Sequence, residues 1–421
     1  MSSVDATDAA PSMADAVRGP RPRLDVERER ALTRGADLSR HFNTAGSALP
    51  SVGVITTVVD HLRLEEARGG YEAAAHVRDR IEDVYTTAAE LIGAQASEIA
   101  LFDSASTGLR VLIDALRPVA GDRIVASTST YVSHALHLMT LARERDVELV
   151  IAPVDARRRV DAEALDVLLS DGRPTILSIA HIPTSSGLVE PVVEIGEVAR
   201  RYGATYILDA TQSTGHLKAD VGEIGCDVLV TTGRKFLRGP RGTGFAYVNA
   251  GLGERLLPLA PDVRGAQWTA AADWELAPSA RRFESWESAI AARLGFGTAI
   301  QEALDRGIDE TEAWLCATGD ALRTALAAVP GVELADPDGA VSAIVTFTVD
   351  GVSSHDVVQT LAERDVRVVS VPATHGQWDL GARGITSVVR ASPHVYNDEA
   401  DLSALLEGVA AIASASGNGG H

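Results

Sequence analysis

Lysine is nearly missing from this chain. It occurs twice, at Lys218 and Lys235, among 38 lysines and arginines in 421 residues. Chemistry that needs an amine side chain therefore has two candidates. Cysteine is as scarce, with only Cys226 and Cys316. Two cysteines make no disulfide framework and fit a cytoplasmic setting. No run of about 18 apolar residues occurs, so no membrane-spanning helix is expected. The N-terminus carries acidic residues early and has no apolar stretch of signal-peptide length. A basic excess is missing too: the formal net charge is -20, which argues against a nucleic-acid partner. The patterns Gly-x-x-x-x-Gly-Lys-Ser/Thr, His-Glu-x-x-His and Gly-x-Ser-x-Gly do not occur. The 11 histidines are scattered, and no Cys/His cluster has metal-ligand spacing, so no metal site is expected.

What is present is a globular chain with 46% apolar and 23% charged residues. Its length suits two domains. Residues 1–36, rich in Ala, Pro, Arg and Asp, read as a mobile arm with some helix near 25–34. The end of the chain, 413–421, reads as a flexible tail. A helical pattern over 51–93, broken at Gly69-Gly70, is followed by short apolar segments at 98–102, 123–127, 147–152, 175–179, 205–208, 227–231 and 245–248, with helical stretches between most of them. That alternation predicts an α/β domain over 37–285, built on a mainly parallel sheet of seven strands. Such sheets bind ligands at the carboxyl ends of their strands. From 286 to 412 the rhythm changes. A helical region at 288–328, interrupted near Gly307, precedes segments at 332–334, 343–348, 366–371 and 387–390, and helices near 354–363 and from Asp398. This predicts a smaller α+β domain.

Three segments carry chemistry. In Tyr206-Ile207-Leu208-Asp209-Ala210-Thr211-Gln212, Asp209 ends an apolar strand and so reaches the sheet's rim. There it either caps a helix or pairs with a ring nitrogen, keeping a heteroaromatic cofactor electron-poor. In Thr232-Gly233-Arg234-Lys235-Phe236-Leu237-Arg238-Gly239, a lysine stands in the loop after another apolar strand. A lysine that acts as a nucleophile must reach a deep site and be neutral part of the time; Thr232 and Arg234 suit a phosphate dianion. In Asp103-Ser104-Ala105-Ser106-Thr107-Gly108, small residues between strand and helix allow a phosphate at a helix N-terminus, or a plain N-cap.

These three segments, in this order, resemble the class V branch of fold type I pyridoxal-phosphate enzymes, over roughly residues 40–412. That branch includes cysteine desulfurases, the isopenicillin N epimerase-like group and the ergothioneine-pathway C–S lyases. The resemblance implies pyridoxal 5'-phosphate as cofactor, Lys235 as its Schiff-base lysine and Asp209 as the partner of its ring nitrogen. Gln212 matches a residue bonded to the ring oxygen, and Ser106, Thr107, Thr232 and Arg234 match phosphate-binding positions. Arg234 stands where many desulfurases carry histidine. Tyr131 falls where they place a ring-stacking histidine, and Thr184 where the family often has asparagine. Val389-Arg390-Ala391-Ser392 resembles the family's signature in which the arginine binds the substrate α-carboxylate. The stretch His41-Phe42-Asn43-Thr44-Ala45-Gly46 matches a segment lining the same pocket. Ser288, after Arg281-Arg282-Phe283-Glu284, matches a residue that reaches a partner subunit's phosphate, so a homodimer is implied.

The reaction turns on sulfur. Desulfurases need a mobile cysteine that becomes a persulfide. Its position, on a loop before the carboxylate arginine, is His375 here, and imidazole cannot take that role. His375 and Trp378 then face the substrate side chain or form a plain surface loop. The stretch Arg68-Gly69-Gly70-Tyr71 and the lysine loop look most like the sulfoxide lyase and epimerase-like group, whose members act on S-substituted cysteines in thiol metabolism or antibiotic assembly. A C–S β-lyase is the leading expectation. Decarboxylation-coupled deamination and transamination share every residue named. A non-catalytic binding protein is disfavoured by intact Lys235, Asp209 and Arg390.

Overall fold

The computed structural model describes residues 24–417. Its centre is a seven-stranded sheet of β1 (Ile99–Phe102), β2 (Arg123–Ala126), β3 (Glu148–Ile151), β4 (Thr175–Ala180), β5 (Thr205–Asp209), β6 (Val228–Thr232) and β7 (Gly244–Val248). The spatial order is β1-β7-β6-β5-β4-β2-β3. Pairings from β3 through β2, β4 and β5 to β6 are parallel. Only β7 runs against its neighbours. All seven expected strands are present, with ends shifted by a residue or two. They read as continuous apolar runs because helices cover both faces of the sheet. Leu177, Ile179, Tyr206 and Leu208 fill one core layer; Ile176, Ile207, Val228 and Val230 fill the other.

The second layer is closed by the helix Ala105–Leu116, which buries Leu109, Leu112 and Ile113. Each such side chain contributes about 1.5–3 kcal/mol. Gly108 lets this helix sit low: a Cβ there would lie 3.1 Å from Val230 Cγ1. The helix therefore begins at the rim where β5 and β6 end.

The smaller unit holds four antiparallel strands, β10 (Val332–Leu334), β11 (Val345–Val349), β12 (Val369–Pro372) and β13 (Ser387–Ala391), in the order β10-β11-β13-β12. Its core joins Leu322, Phe347, Val389, Leu405 and Val409 with Phe42. Arg40–His41 pairs in parallel with Val366–Arg367, so the N-terminal stretch at 40–46 runs between the two units. Between the two units of sequence lies an unexpected hairpin, β8 (Ala266–Ala270) and β9 (Asp273–Leu276), which carries the exposed Trp268 and Trp274.

Three expected boundaries move. The sequence rhythm puts the helix Ile290–Arg306 in the smaller domain, yet its Phe296, Ile300 and Ala303 belong to the large core. The packing divides near Gly307, at the break between that helix and Ile308–Ala327. Of the expected arm, residues 1–23 lie outside the described residues. Residues 25–36 are docked rather than free: Glu29 is buried, hydrogen-bonded to Arg238 (2.9 Å) and ion-paired with Arg306 (3.2 Å), and Arg30 pairs with Asp401 (2.7 Å). Of the tail, 418–421 lie outside the described residues, and the last helix runs to Gly417.

Candidate active site

β5 and β6 end side by side, which brings Asp209 and the Lys235 loop to one rim. The loop is held by its own backbone. Gly233 N–H donates to Thr243 O (2.9 Å), and Arg238 N–H donates to Lys235 O (2.9 Å). Arg238 adopts a left-handed backbone with φ 61°, a conformation that costs a non-glycine residue about 1 kcal/mol. Its buried guanidinium is fixed by Glu29 and Leu49 O. The turn that follows Lys235 is thereby closed and anchored.

Lys235 is 7% exposed. Burial pushes its pKa down to about 7; Arg234 and Arg390 add to this and Asp209 opposes it. Burial also raises the Asp209 carboxyl, against its hydrogen bond from Thr211 N–H (3.0 Å) and the Lys235 charge. The Lys235 amine lies 5.9 Å from the centre of the Tyr131 ring. Together with Ser104, Ala105, Ser106, Ser129, His134, Ala180, Ile182, Thr184, Thr211, Gln212, Thr232 and Arg234, these residues line a cleft that opens to solvent.

One end of the cleft is built for an anion. The helix N-terminus at Ala105 opens onto it, next to Ser106, Thr232 and Arg234, so backbone N–H groups, hydroxyls and a guanidinium converge. Arg234 donates to Thr232 Oγ1 (3.1 Å). Thr107 is a correction: it does not line the cleft. Its N–H donates to Ser104 Oγ (3.2 Å) and its hydroxyl lies 3.0 Å from the same atom, so it completes the helix cap while Ser104 takes its place in the wall.

Arg390, on β13, is 4% exposed, with a pKa pushed down to about 10 by burial. It donates from Nη1 to Thr184 O (3.0 Å) and Oγ1 (2.6 Å), and from Nη2 to Asn43 Oδ1 (3.1 Å). Gln212 donates to Ala45 O (3.1 Å), so Ala45 stands behind the wall and braces Gln212. Gly46 seats Asn43: a Cβ at 46 would fall 2.5 Å from Asn43 Oδ1.

Seven predicted residues thus share the cleft wall: Ser106, Tyr131, Asp209, Gln212, Thr232, Arg234 and Lys235. His375 lies at its mouth, exposed, with its ring 6.3 Å from the Tyr131 ring and edge-on to it. Trp378 does not face the cleft; it packs against the second core layer. Ser288 does not line the cleft of its own chain, and its buried hydroxyl has no partner there. Sequence reasoning passed over Ser104, Ser129, His134 and Thr211. Ser129 donates to the buried Glu190 (2.6 Å), whose pKa burial pushes up to about 7. His134 Nε2 lies 2.7 Å from Ser178 Oγ. Their adjacency to Tyr131 was the one available signal; the pairing with Glu190 and Ser178 required the fold. Among the described residues no His/Cys/Asp/Glu group could hold a metal ion.

The family described as aminotransferase class-V matches residues 41–405. The chain belongs to this family. As a class V aminotransferase it is a pyridoxal-phosphate-dependent enzyme of fold type I. It is 27% identical to a probable cysteine desulfurase of Methanothermobacter thermautotrophicus, over 92% of this chain and 98% of the relative. It is 28% identical to a probable hercynylcysteine sulfoxide lyase of Mycobacterium tuberculosis, over 90% and 91%. In structure it is similar to the apo cysteine desulfurase of Thermococcus onnurineus NA1, with a TM-score of 0.86 at 22% identity, covering 94% of this chain and 99% of that one.

The cleft of this class V enzyme fits the cofactor. A cleft-lining side chain, Gln212, keeps a buried oxygen without a protein partner among the described residues, next to a buried carboxylate and the one buried lysine. Buried polar atoms are almost always bonded, so this oxygen is a group left for a polar ligand.

Proposed function

We propose that this enzyme is a C–S β-lyase that cleaves the Cβ–S bond of an S-substituted L-cysteine in cytoplasmic thiol or antibiotic metabolism, and that it works as a homodimer. One observation carries the reading: the cleft is lined by a lysine and a carboxylate, with the buried Arg390 held on its Thr184, and among the described residues no cysteine lines it. Cys226 is buried just before the amino end of β6, the far end of the strand from the cleft, and burial raises its pKa. Cys316 lies in the helix Ile308–Ala327, and burial pushes its thiol up to about 12. Neither can accept sulfur as a thiolate in the cleft. Sulfur must then depart with its substituent.

Bound pyridoxal phosphate supplies an electron sink for negative charge developing at Cα. Asp209 would hold the protonated ring nitrogen, and Ser106, Thr232, Arg234 and the helix N-terminus would hold the phosphate. Ser288 of a second copy would complete that end. Arg390 would take the substrate α-carboxylate. Lys235, with a pKa near the working pH, would remove the Cα proton as general base. Tyr131 would stack on the cofactor ring, and His375 would face the S-substituent at the mouth. Water then completes the balance: substrate and water give the thiol, pyruvate and ammonia. The relatives named as desulfurase and sulfoxide lyase support carbon–sulfur chemistry on a cysteine skeleton.

The test is a mass balance on the holoenzyme with a panel of S-substituted cysteines. Equal amounts of pyruvate, ammonia and thiol are expected. Carbon dioxide with an aldehyde that keeps its sulfur would replace the reading by decarboxylation-coupled deamination, and a 2-oxo acid that keeps its sulfur would replace it by transamination.

A further inference from the structure

Four side chains stack in one column across the seam between the two units. The ring of His216 lies 4.1 Å from that of Phe236, Phe236 5.8 Å from His394, and His394 5.3 Å from Tyr396. His216 and Phe236 come from the loops after β5 and β6 of the large unit, and His394 and Tyr396 follow β13 of the smaller one. Phe236 is the residue after Lys235, and His394 comes shortly after Arg390.

Both histidines are fully buried, and each bonds across the seam. His216 Nε2 accepts from Ala343 N–H (3.0 Å), just before β11, and its Nδ1 donates to Gln212 O (3.2 Å). His394 Nε2 donates to Phe236 O (2.9 Å), and its Nδ1 accepts from Val395 N–H (2.7 Å). A backbone N–H only donates and a carbonyl only accepts, so the partners fix opposite tautomers. An imidazolium has no acceptor nitrogen, so both bond sets require neutral rings. Burial keeps them neutral, pushing His216 down to about 3 and His394 well below the ordinary range. The charged groups that face them, Arg323 for His216 and Arg238 and Arg306 for His394, act in the same direction.

We infer that His394 and His216 are positioning residues for Lys235: His394 holds the Phe236 carbonyl, and His216 ties the other face of the Phe236 ring to the smaller unit. The stretch 390–396 thus carries Arg390 at one end and clamps the lysine's neighbour at the other. A lysine side chain is long and flexible, so its reach is set by the backbone that carries it. The clamp also keeps that backbone dry, since Phe236 is 1% exposed. Without it Lys235 gains water, and its pKa returns toward the ordinary lysine value. Arg234, Asp209 and Arg390, the charges that act on Lys235, are untouched by changes at His394 or His216.

Only one part of the proposed function is assumed, that Lys235 is the cofactor's lysine. The test follows pyridoxal phosphate uptake by the apoenzyme against pH, with denaturant unfolding measured beside it. His394→Phe keeps a ring in the column and removes the bond to Phe236 O. Its uptake midpoint should rise by about one pH unit, with cofactor retention about tenfold weaker. His394→Gln, which offers an amide N–H to the same carbonyl, should keep the wild-type midpoint. His216→Phe should raise it by less than His394→Phe does. A merely structural histidine would lower stability without moving the midpoint, so a folded His394→Phe protein with wild-type midpoint and retention overturns the assignment. A His394→Gln midpoint shifted as far as that of His394→Phe also overturns it. The wild type gives a check that needs no variant: histidine ¹⁵N spectra should show the two rings as opposite neutral tautomers from about pH 5 to 9, and a shared tautomer or a ring that titrates there overturns the assignment. If Lys235 is not the cofactor's lysine, Lys235→Ala keeps the wild-type imine absorbance, a failure separate from these.

Discussion

Lys218 lies at the surface with its amine 3.0 Å from Glu223. Its hydrogen bond and ion pair with that carboxylate raise its pKa, so it stays a cation in any ordinary buffer. Lys235 lies at the floor of the cleft with no carboxylate in ion-pair contact among the described residues, and burial pushes it down to about 7. The two amines are the same functional group; only the surroundings differ. The lesson is that a lysine becomes a nucleophile or base by being deprived of water and of a close counter-charge. Here the deprivation is built from outside the loop. Arg238, four positions along the lysine loop from Arg234, is anchored by Glu29 from the N-terminal helix and stacks over the Tyr396 ring at 5.2 Å.

The largest effect that would break this contrast is on cofactor attachment. Lys235→Ala should lose the imine absorbance of the bound cofactor and more than about 10³-fold in turnover, while Lys218→Ala should match the wild type in both. An unchanged absorbance in Lys235→Ala would end the assignment.

Next comes the brace. Glu29 is the shared anion of Arg238 and Arg306. Glu29→Ala leaves two buried cations facing each other and should cost about 3–5 kcal/mol in denaturant unfolding. A change under about 1 kcal/mol would mean that the lysine loop holds its shape without the N-terminal segment.

Arg390→Ala should raise KM for an amino-acid substrate by about 10²-fold. Arg390→Lys should recover only part of it, since a point charge cannot reproduce the fork. A full recovery would make charge, and not geometry, the working property of that residue.

A smaller effect concerns pH. The neutral amine is the reactive form of Lys235. Uptake of pyridoxal phosphate by the apoenzyme should therefore slow about tenfold per pH unit below the midpoint, and level off above a midpoint near 7. The sign follows from a folded pKa depressed below the ordinary lysine value: protonation is resisted until the pH falls to about 7. A midpoint near that of an exposed amine would erase the contrast with Lys218. The same shift makes Lys235 a burden on apoenzyme stability that is absent above the ordinary lysine pKa and complete below about 7. The smallest effect is expected at sulfur. Cys226→Ala and Cys316→Ser, singly or together, should leave turnover unchanged, and a loss of activity traced to a persulfide would overturn the lyase reading.

Much of this was legible in the residues. Apolar runs of strand length, each followed by polar and small residues, marked the seven strands and placed Asp209 and Lys235 at their ends, because a strand buried on both faces must be apolar throughout. Periodicity misjudged the helix Ile290–Arg306, since it says that a face is buried and not which core buries it. It missed the β8–β9 hairpin because that hairpin's residues are mostly exposed and lack an apolar face to announce them. It placed Thr107 in the wall because a cap and an anion site use the same residue types.

By itself the sequence determined the order of strands and helices, the two rim positions that carry chemistry, and that only two lysines could serve them. Those are local facts, written in spacing and residue type. The tertiary structure alone decided which lysine is dry, which serine lines the wall, and how Arg390 is aimed. Its partners Thr184 and Asn43 lie 206 and 347 residues away in the chain. Contacts over such separations depend on how the two units and the strap pack together, and no local pattern records that.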